Sequence, residues 1–211
     1  MPSMKATITA VAVDLFHRKG YFATSISEIA SQCGIQKASI YYHYPSKENI
    51  LFHIQQVTME ELTAYLRNNL DGRTDIEECM RVAVRSHVRF HLDRQKETFI
   101  ANSELRGLTP EHYQQIVRKR DEYEQIFQRI IREGIAAGVF TAADDKILSY
   151  AILTLCNGGA IWFKPRGRMP MDAIAEIYEN FVLRGLRVGH LAAAAAGADL
   201  EGLLSGETRF A

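Results

Sequence analysis

The sequence predicts an all-α protein, and three observations carry that expectation. Nearly every segment repeats its apolar residues at helical spacing. No run alternates with a period of two for long enough to build a sheet. Helix start and stop signals recur along the chain, from the Ser25–Glu28 capping box and Gly34 to the Pro45–Ser46 pair.

In the first helix, Ile8, Val11, Ala12, Leu15 and Phe16 form one apolar face, and Gly20 ends it. "SISE" at Ser25–Glu28 opens a short second helix, which runs to about Cys33 and closes at Gly34. A third helix, "IQKASIYYHY", must stop before Pro45, because proline disfavours helical backbone at the preceding residue. Ser46 then caps a long helix to about Leu70, where "DGRT" supplies a turn. Further helices are expected over Asp75–Leu92, Lys96–Leu105, Pro110–Ala137, Asp144–Phe163 and Met171–Val188. The remainder divides as an N-terminal unit over 1–53, a larger helical unit over 54–190 and an Ala/Gly-rich tail over 191–211.

Composition narrows the function. The 211 residues carry 25 Lys+Arg and 25 Asp+Glu, so the chain is no polybasic phosphate binder, and charge must be read locally. Residues 1–53 hold five basic side chains (Lys5, Arg18, Lys19, Lys37, Lys47) against three acidic ones, a net +2 that favours a polyanion contact there. Cys33, Cys79 and Cys156 are odd in number and widely spaced, which fits a reducing cytoplasm rather than a disulfide framework. The apolar run Ile147–Phe163 is broken by Ser149, Asn157, Gly158 and Gly159, so no membrane span is expected.

Two short helices joined at Gly34 and backed by a longer one make a helix-turn-helix pattern. The third helix is too short to stand alone in water, so Ile35 and Ile40 must anchor it on Leu15, Phe16, Ile26 and Ile29. Its other side presents Lys37, Ala38, Ser39, Tyr42 and His43, groups that fit a DNA groove, with Lys47 just beyond. Tyr41, Tyr42 and Tyr44 cannot all face one way, so one is expected to be mainly structural, Tyr44 or in part Tyr41, with packing favoured for Tyr44.

The stretch "DLFHRKGYFATSISEIASQCGIQKASIYYHYPSKENIL" resembles the N-terminal DNA-binding domain of the tetracycline-repressor (TetR) family. The resemblance implies phosphate contacts from Thr24, Ser25, Tyr41, Tyr42, His43 and Lys47, and places Lys37, Ala38 and Ser39 at base edges. Gln36 departs from the serine or threonine cap frequent in the family and receives no role. The family's later helices bind a small-molecule effector and dimerise. Two segments, "NSELRGLTPEHYQQIVRKRDEYEQIFQRIIREGIAAGVF" and "LCNGGAIWFKPRGRMPMDAIAEIYENFVLRGL", look like regulators that answer acyl-CoA thioesters of lipid, steroid or aromatic-acid catabolism. On that likeness Trp162 lines the effector cavity or belongs to the core, and Arg106, Arg118, Arg120 and Lys164 either meet a thioester's phosphates or stay solvated. The alternative effector is a non-CoA lipophilic drug or stress signal.

The small residues "NGGA" and broad apolar faces of Ile147–Phe163 and Ile174–Leu186 suggest a two-fold homodimer interface. Such a dimer would read a palindromic double-stranded DNA operator with recognition helices about 34–36 Å apart. The expected function is a repressor released by its effector.

An enzyme is the rival class. His87 and His91 stand at i, i+4, a spacing that can hold a metal, with Cys79 and Asp93 nearby in sequence. No HExxH glutamate accompanies them, and no nucleophile elbow, P-loop or dinucleotide fingerprint appears, so no catalytic residue, metal or cofactor is expected.

Overall fold

A computed structural model describes residues 3–187, and the expected 191–211 tail lies outside the described residues. Helix α1 (Met4–Lys19) is capped by Ser3 and ends where Gly20 takes a positive φ of 84°. In α2 (Ile26–Gln32) both halves of the Ser25–Glu28 capping box form. Its exit is a paired closure: the Ile35 N–H reaches the Ala30 carbonyl (3.0 Å) and the Gly34 N–H reaches that of Ser31 (3.1 Å). Gly34 sits at φ 67°, which is why the tight turn needs a glycine.

Helix α3 (Lys37–His43) follows α2 after four residues, and α4 (Lys47–Leu70) starts at the Ser46 cap. Then come α5 (Ile76–Asp93), α6 (Gln95–Ser103), a 3-10 turn at Leu105–Gly107 and α7 (Pro110–Ala136). The chain continues through α8 (Asp145–Asn157), α9 (Gly159–Trp162) and α10 (Met171–Leu186). Among the described residues the one strand-like feature is an isolated bridge between Phe140 and Arg187.

Two boundaries differ from the sequence reading. The helix expected over Asp144–Phe163 breaks at Gly158, because two successive glycines weaken it and Gly159 lets the backbone settle against Leu92 and Tyr178. The helix expected to reach Leu105 ends at Ser103. The tighter turn after it brings Gly107 against Tyr21 and Leu51, where an added Cβ would stand 2.7–2.8 Å from their side chains.

Buried apolar residues gather in two clusters. The first holds Ile8, Leu15, Phe16, Ile26, Ile29, Ile40, Tyr44, Ile50, Leu51 and Ile54, and one residue of α6, Ile100, completes it. The second runs from Met59 through α5, α7, α8 and α10. α4 contributes to both, its first half to one and its second half to the other. A buried acid fastens α10 to α5: Glu179 accepts from Arg85 Nε and Nη2 (2.7 Å each) and from Arg81 Nη1 (3.2 Å).

Candidate nucleic-acid interface and effector cavity

Ile40 is fully buried and Ile35 packs at the edge of the first cluster, so α3 lies on its neighbours as its apolar pattern requires. The opposite side carries Lys37, Ala38, Ser39, Tyr41 and Tyr42, all exposed, and half-buried His43. Tyr42 is 87% exposed, with its ring edge-on to His43 at 5.1 Å, so nothing in the fold accounts for it. Lys37 has no carboxylate partner among the described residues. Of the acids in residues 1–53, Glu28 pairs with Lys19, Asp14 with Lys96, and Glu48 hydrogen-bonds His112. A small, polar, cationic and aromatic face that carries no acid of its own can receive a DNA backbone. Tyr44 is the packing member, buried with its hydroxyl 2.8 Å from Thr9 Oγ1.

Two expected phosphate ligands are placed otherwise. Thr24 is buried, and its hydroxyl donates to the Gly20 carbonyl (2.9 Å), so the side chain closes the α1–α2 turn instead of facing a partner. Lys47 Nζ donates to the carbonyls of Tyr21 (2.9 Å) and Thr24 (2.7 Å) and lies over the Tyr21 ring, leaving one N–H uncommitted. Its burial holds its pKa below the usual lysine value. Lys47 is therefore first a strut between α4 and the α1–α2 turn. Ser25 is exposed, but its hydroxyl serves the capping box.

Behind the second cluster lies a cavity of about 140 Å³ walled by α4, α5, α6, α7 and α8. Its polar lining includes Thr58, His87, His91, Asn102, Arg120, Tyr123 and Asn157. Asn102 and Asn157 are shared with an outer groove of about 400 Å³ between α6 and α8–α9. Arg120 alone among the expected basic ligands reaches the inner cavity, and it is there as a half-buried part of the wall. Arg106 and Arg118 are exposed and line neither space. Trp162 and Lys164 border a separate groove of about 510 Å³ beside α10, and Trp162 is 54% exposed, so it belongs neither to the core nor to the inner cavity.

The histidine pair is a cavity wall. The His87 and His91 rings stack at 4.0 Å. His87 Nδ1 lies 2.9 Å from the Tyr123 hydroxyl, its Nε2 lies 3.0 Å from Asn157 Oδ1, and His91 Nδ1 donates to the His87 carbonyl. With three of the four ring nitrogens committed, the i, i+4 spacing does not make a metal site here. No group of three or more metal-ligating side chains occurs among the described residues. Burial drives both pKa values down, that of His91 to about 4, so both rings are neutral at pH 7. Sequence reasoning missed Thr58, Asn102, Tyr123 and Asn157, which meet only when four helices pack. One signal was available: Arg120, Tyr123 and Phe127 share a face of α7 at i, i+3, i+7.

Helix α6 links cavity and interface. Thr98, Ala101 and Asn102 line the cavity, while Ile100 enters the first cluster. Beyond it Glu104 Oε1 accepts from the Tyr21 N–H (3.2 Å), and Lys96 pairs with Asp14 of α1. A second link joins α4 to α7: Glu48 accepts from Thr109 N–H (3.1 Å) and from His112 Nδ1 (2.7 Å), and Phe52 stacks on His112 at 3.8 Å.

Residues 8–54 match the bacterial regulatory proteins of the tetR family, and residues 73–186 match the tetracyclin repressor-like C-terminal domain. The chain belongs to the tetR family. Among TetR relatives, the HTH-type transcriptional repressor KstR2 of Rhodococcus jostii is 26% identical over 186 residues, which cover 85% of this chain and 89% of the relative. The TetR family regulator PfmR from Thermus thermophilus is 31% identical with a TM-score of 0.78, covering 84% of this chain and 97% of PfmR. AibR, solved with isovaleryl coenzyme A and operator DNA, shares the TetR fold at a TM-score of 0.79 and 24% identity, covering 85% of this chain and 97% of AibR.

Proposed function

We propose that this TetR protein is a cytoplasmic, ligand-responsive transcriptional repressor that binds a palindromic operator as a homodimer. The observation that carries the reading is the solvent-facing side of α3, with Tyr42 87% exposed, on a helix tied through α4 and α6 to an internal cavity. On this reading residues 1–53 read DNA and 54–190 bind effector and partner. Lys37, Ala38 and Ser39 face base edges, while Tyr41, Tyr42, His43 and the exposed Ser25 lie along phosphates.

The dimer face is the outer side of α8 and α10. Ile147, Tyr150 and Leu155 on α8 and Ile177 and Phe181 on α10 are exposed apolar residues spaced at helical intervals, a patch that a second copy would cover. Release follows when a ligand prefers the arrangement with the wrong helix spacing; a coupling of about 1–3 kcal/mol suffices.

The effector class that fits both the C-terminal resemblance and the shape of the site is an acyl thioester. The inner cavity takes a group of roughly benzene size, and the groove beyond Asn102 and Asn157 can carry the rest of a coenzyme A chain. The test of the repressor reading is a mobility shift on duplex DNA from beside the protein's own gene. Binding should weaken steeply with salt and fall at least tenfold in Tyr42→Ala with the melting temperature unchanged; equal affinity in the variant overturns it.

A further inference from the structure

Arg120 is a half-buried cation on the cavity wall without a paired counter-charge. None of the ion pairs among the described residues includes it. One Nη2–H donates to the Ala101 carbonyl, and the Nε–H is buried with no acceptor at all. The other charged group on the cavity wall, Glu124, stands one turn further along α7 with Oε1 turned to Ser149 Oγ (2.8 Å) and Gln128 Nε2 (2.9 Å). The imidazoles of His87 and His91 are kept neutral by burial, so they neither repel nor replace the guanidinium. A partly desolvated guanidinium with no paired acid and an unsatisfied Nε–H is costly, and a bound anion would offset that cost.

We propose that Arg120 is the receptor for an anionic group of the effector, and that the inner cavity therefore selects a small carboxylate. The Ala101 bond holds the guanidinium at the cavity wall with no acid paired to it, so the N–H groups it turns to the cavity can donate to a carboxylate oxygen. A space of about 140 Å³ limits the group to roughly the size of benzene. The phosphates of coenzyme A cannot be that anion, because they lie a full pantetheine length from the acyl group. The carboxylate thus belongs to a free acid, or to the acyl group of a thioester that carries a second, free carboxylate. The inference deepens the reading of this cavity as the effector site.

The experiment is thermal melting and calorimetric titration of the full chain. Benzoate and pentanoate are compared with benzamide and pentanamide, and glutaryl-CoA with pentanoyl-CoA. At least one anion of the first set, or glutaryl-CoA, should raise the melting temperature by about 5–10 °C at a hundredfold excess over Kd, with each neutral counterpart at least tenfold weaker. A response to the acids assigns a free acid, and a response to glutaryl-CoA alone assigns the thioester. In Arg120→Met the response should be lost, while cooperative melting without ligand is retained or improved. Arg120→Lys, which keeps the charge, should preserve the preference for acid over amide if the methionine variant fails to fold. The proposal is overturned if the responding acid is matched by its amide, if glutaryl-CoA responds but is matched by pentanoyl-CoA, if no carboxylate responds, or if a folded Arg120→Met keeps wild-type affinity. Because the readout is binding and not release of DNA, a protein that takes carboxylates but shifts no operator sinks the repressor reading alone.

Discussion

Single side chains separate by whether the fold uses them. Lys47 and Tyr42 lie five residues apart, both polar-tipped and both expected at phosphates, yet Lys47 is spent on two carbonyls and Tyr42 on nothing. Lys47→Ala should therefore lower stability by about 1–3 kcal/mol in denaturant unfolding, whereas Tyr42→Ala should leave it unchanged and act on DNA affinity only. His91 gives a pH signature. Its folded pKa of about 4 lies below the 6.5 of the unfolded chain, so between those values the unfolded state binds more protons. Its contribution is present in full above pH 6.5 and is lost as pH falls toward 4, on the order of 3 kcal/mol. Melting temperature against pH should flatten across that window in His91→Gln; an unaltered slope would refute the assignment.

Secondary elements owe their limits to short local devices and their positions to longer ones. The Ser25–Glu28 box and the Gly34 closure are visible in sequence because capping depends on residues three to five apart. Ser25→Ala should cost about 1 kcal/mol by loss of the cap. The break at Gly158 and the short turn at Gly107 were not legible, because each answers to a distant contact: Leu92 and Tyr178 for one, Tyr21 and Leu51 for the other. The fastening of α10 to α5 is of the same kind. Arg81 and Arg85 lie nearly a hundred residues from Glu179, and removal of the shared buried acid takes away the charged hydrogen bonds that join α10 to α5, although Arg81 keeps Glu77 and Glu78 and Arg85 is exposed. Glu179→Ala should lower stability by about 1–3 kcal/mol, measured by urea unfolding.

At the level of the molecule, function rests on which surfaces stay open. The apolar residues exposed along α8 and α10 are the ones the sequence marked through the faces of 147–163 and 174–186. Phe181→Asp, at a position 67% exposed, should leave the melting profile of the chain cooperative, shift sedimentation toward monomer and weaken operator binding together. A dimer of unchanged strength would place the interface elsewhere.

By itself the sequence determined the helical class, the helix-turn-helix and the side of α3 that faces outward, since these follow from periodicity, caps and one glycine within a few residues. Tertiary structure alone decided that Thr24 and Lys47 serve the scaffold, that the histidine pair lines a cavity and that Arg120 borders that cavity with no acid paired to it. The physical reason is range: a side chain's exposure and partners depend on helices that sequence order keeps tens of residues apart and packing brings together.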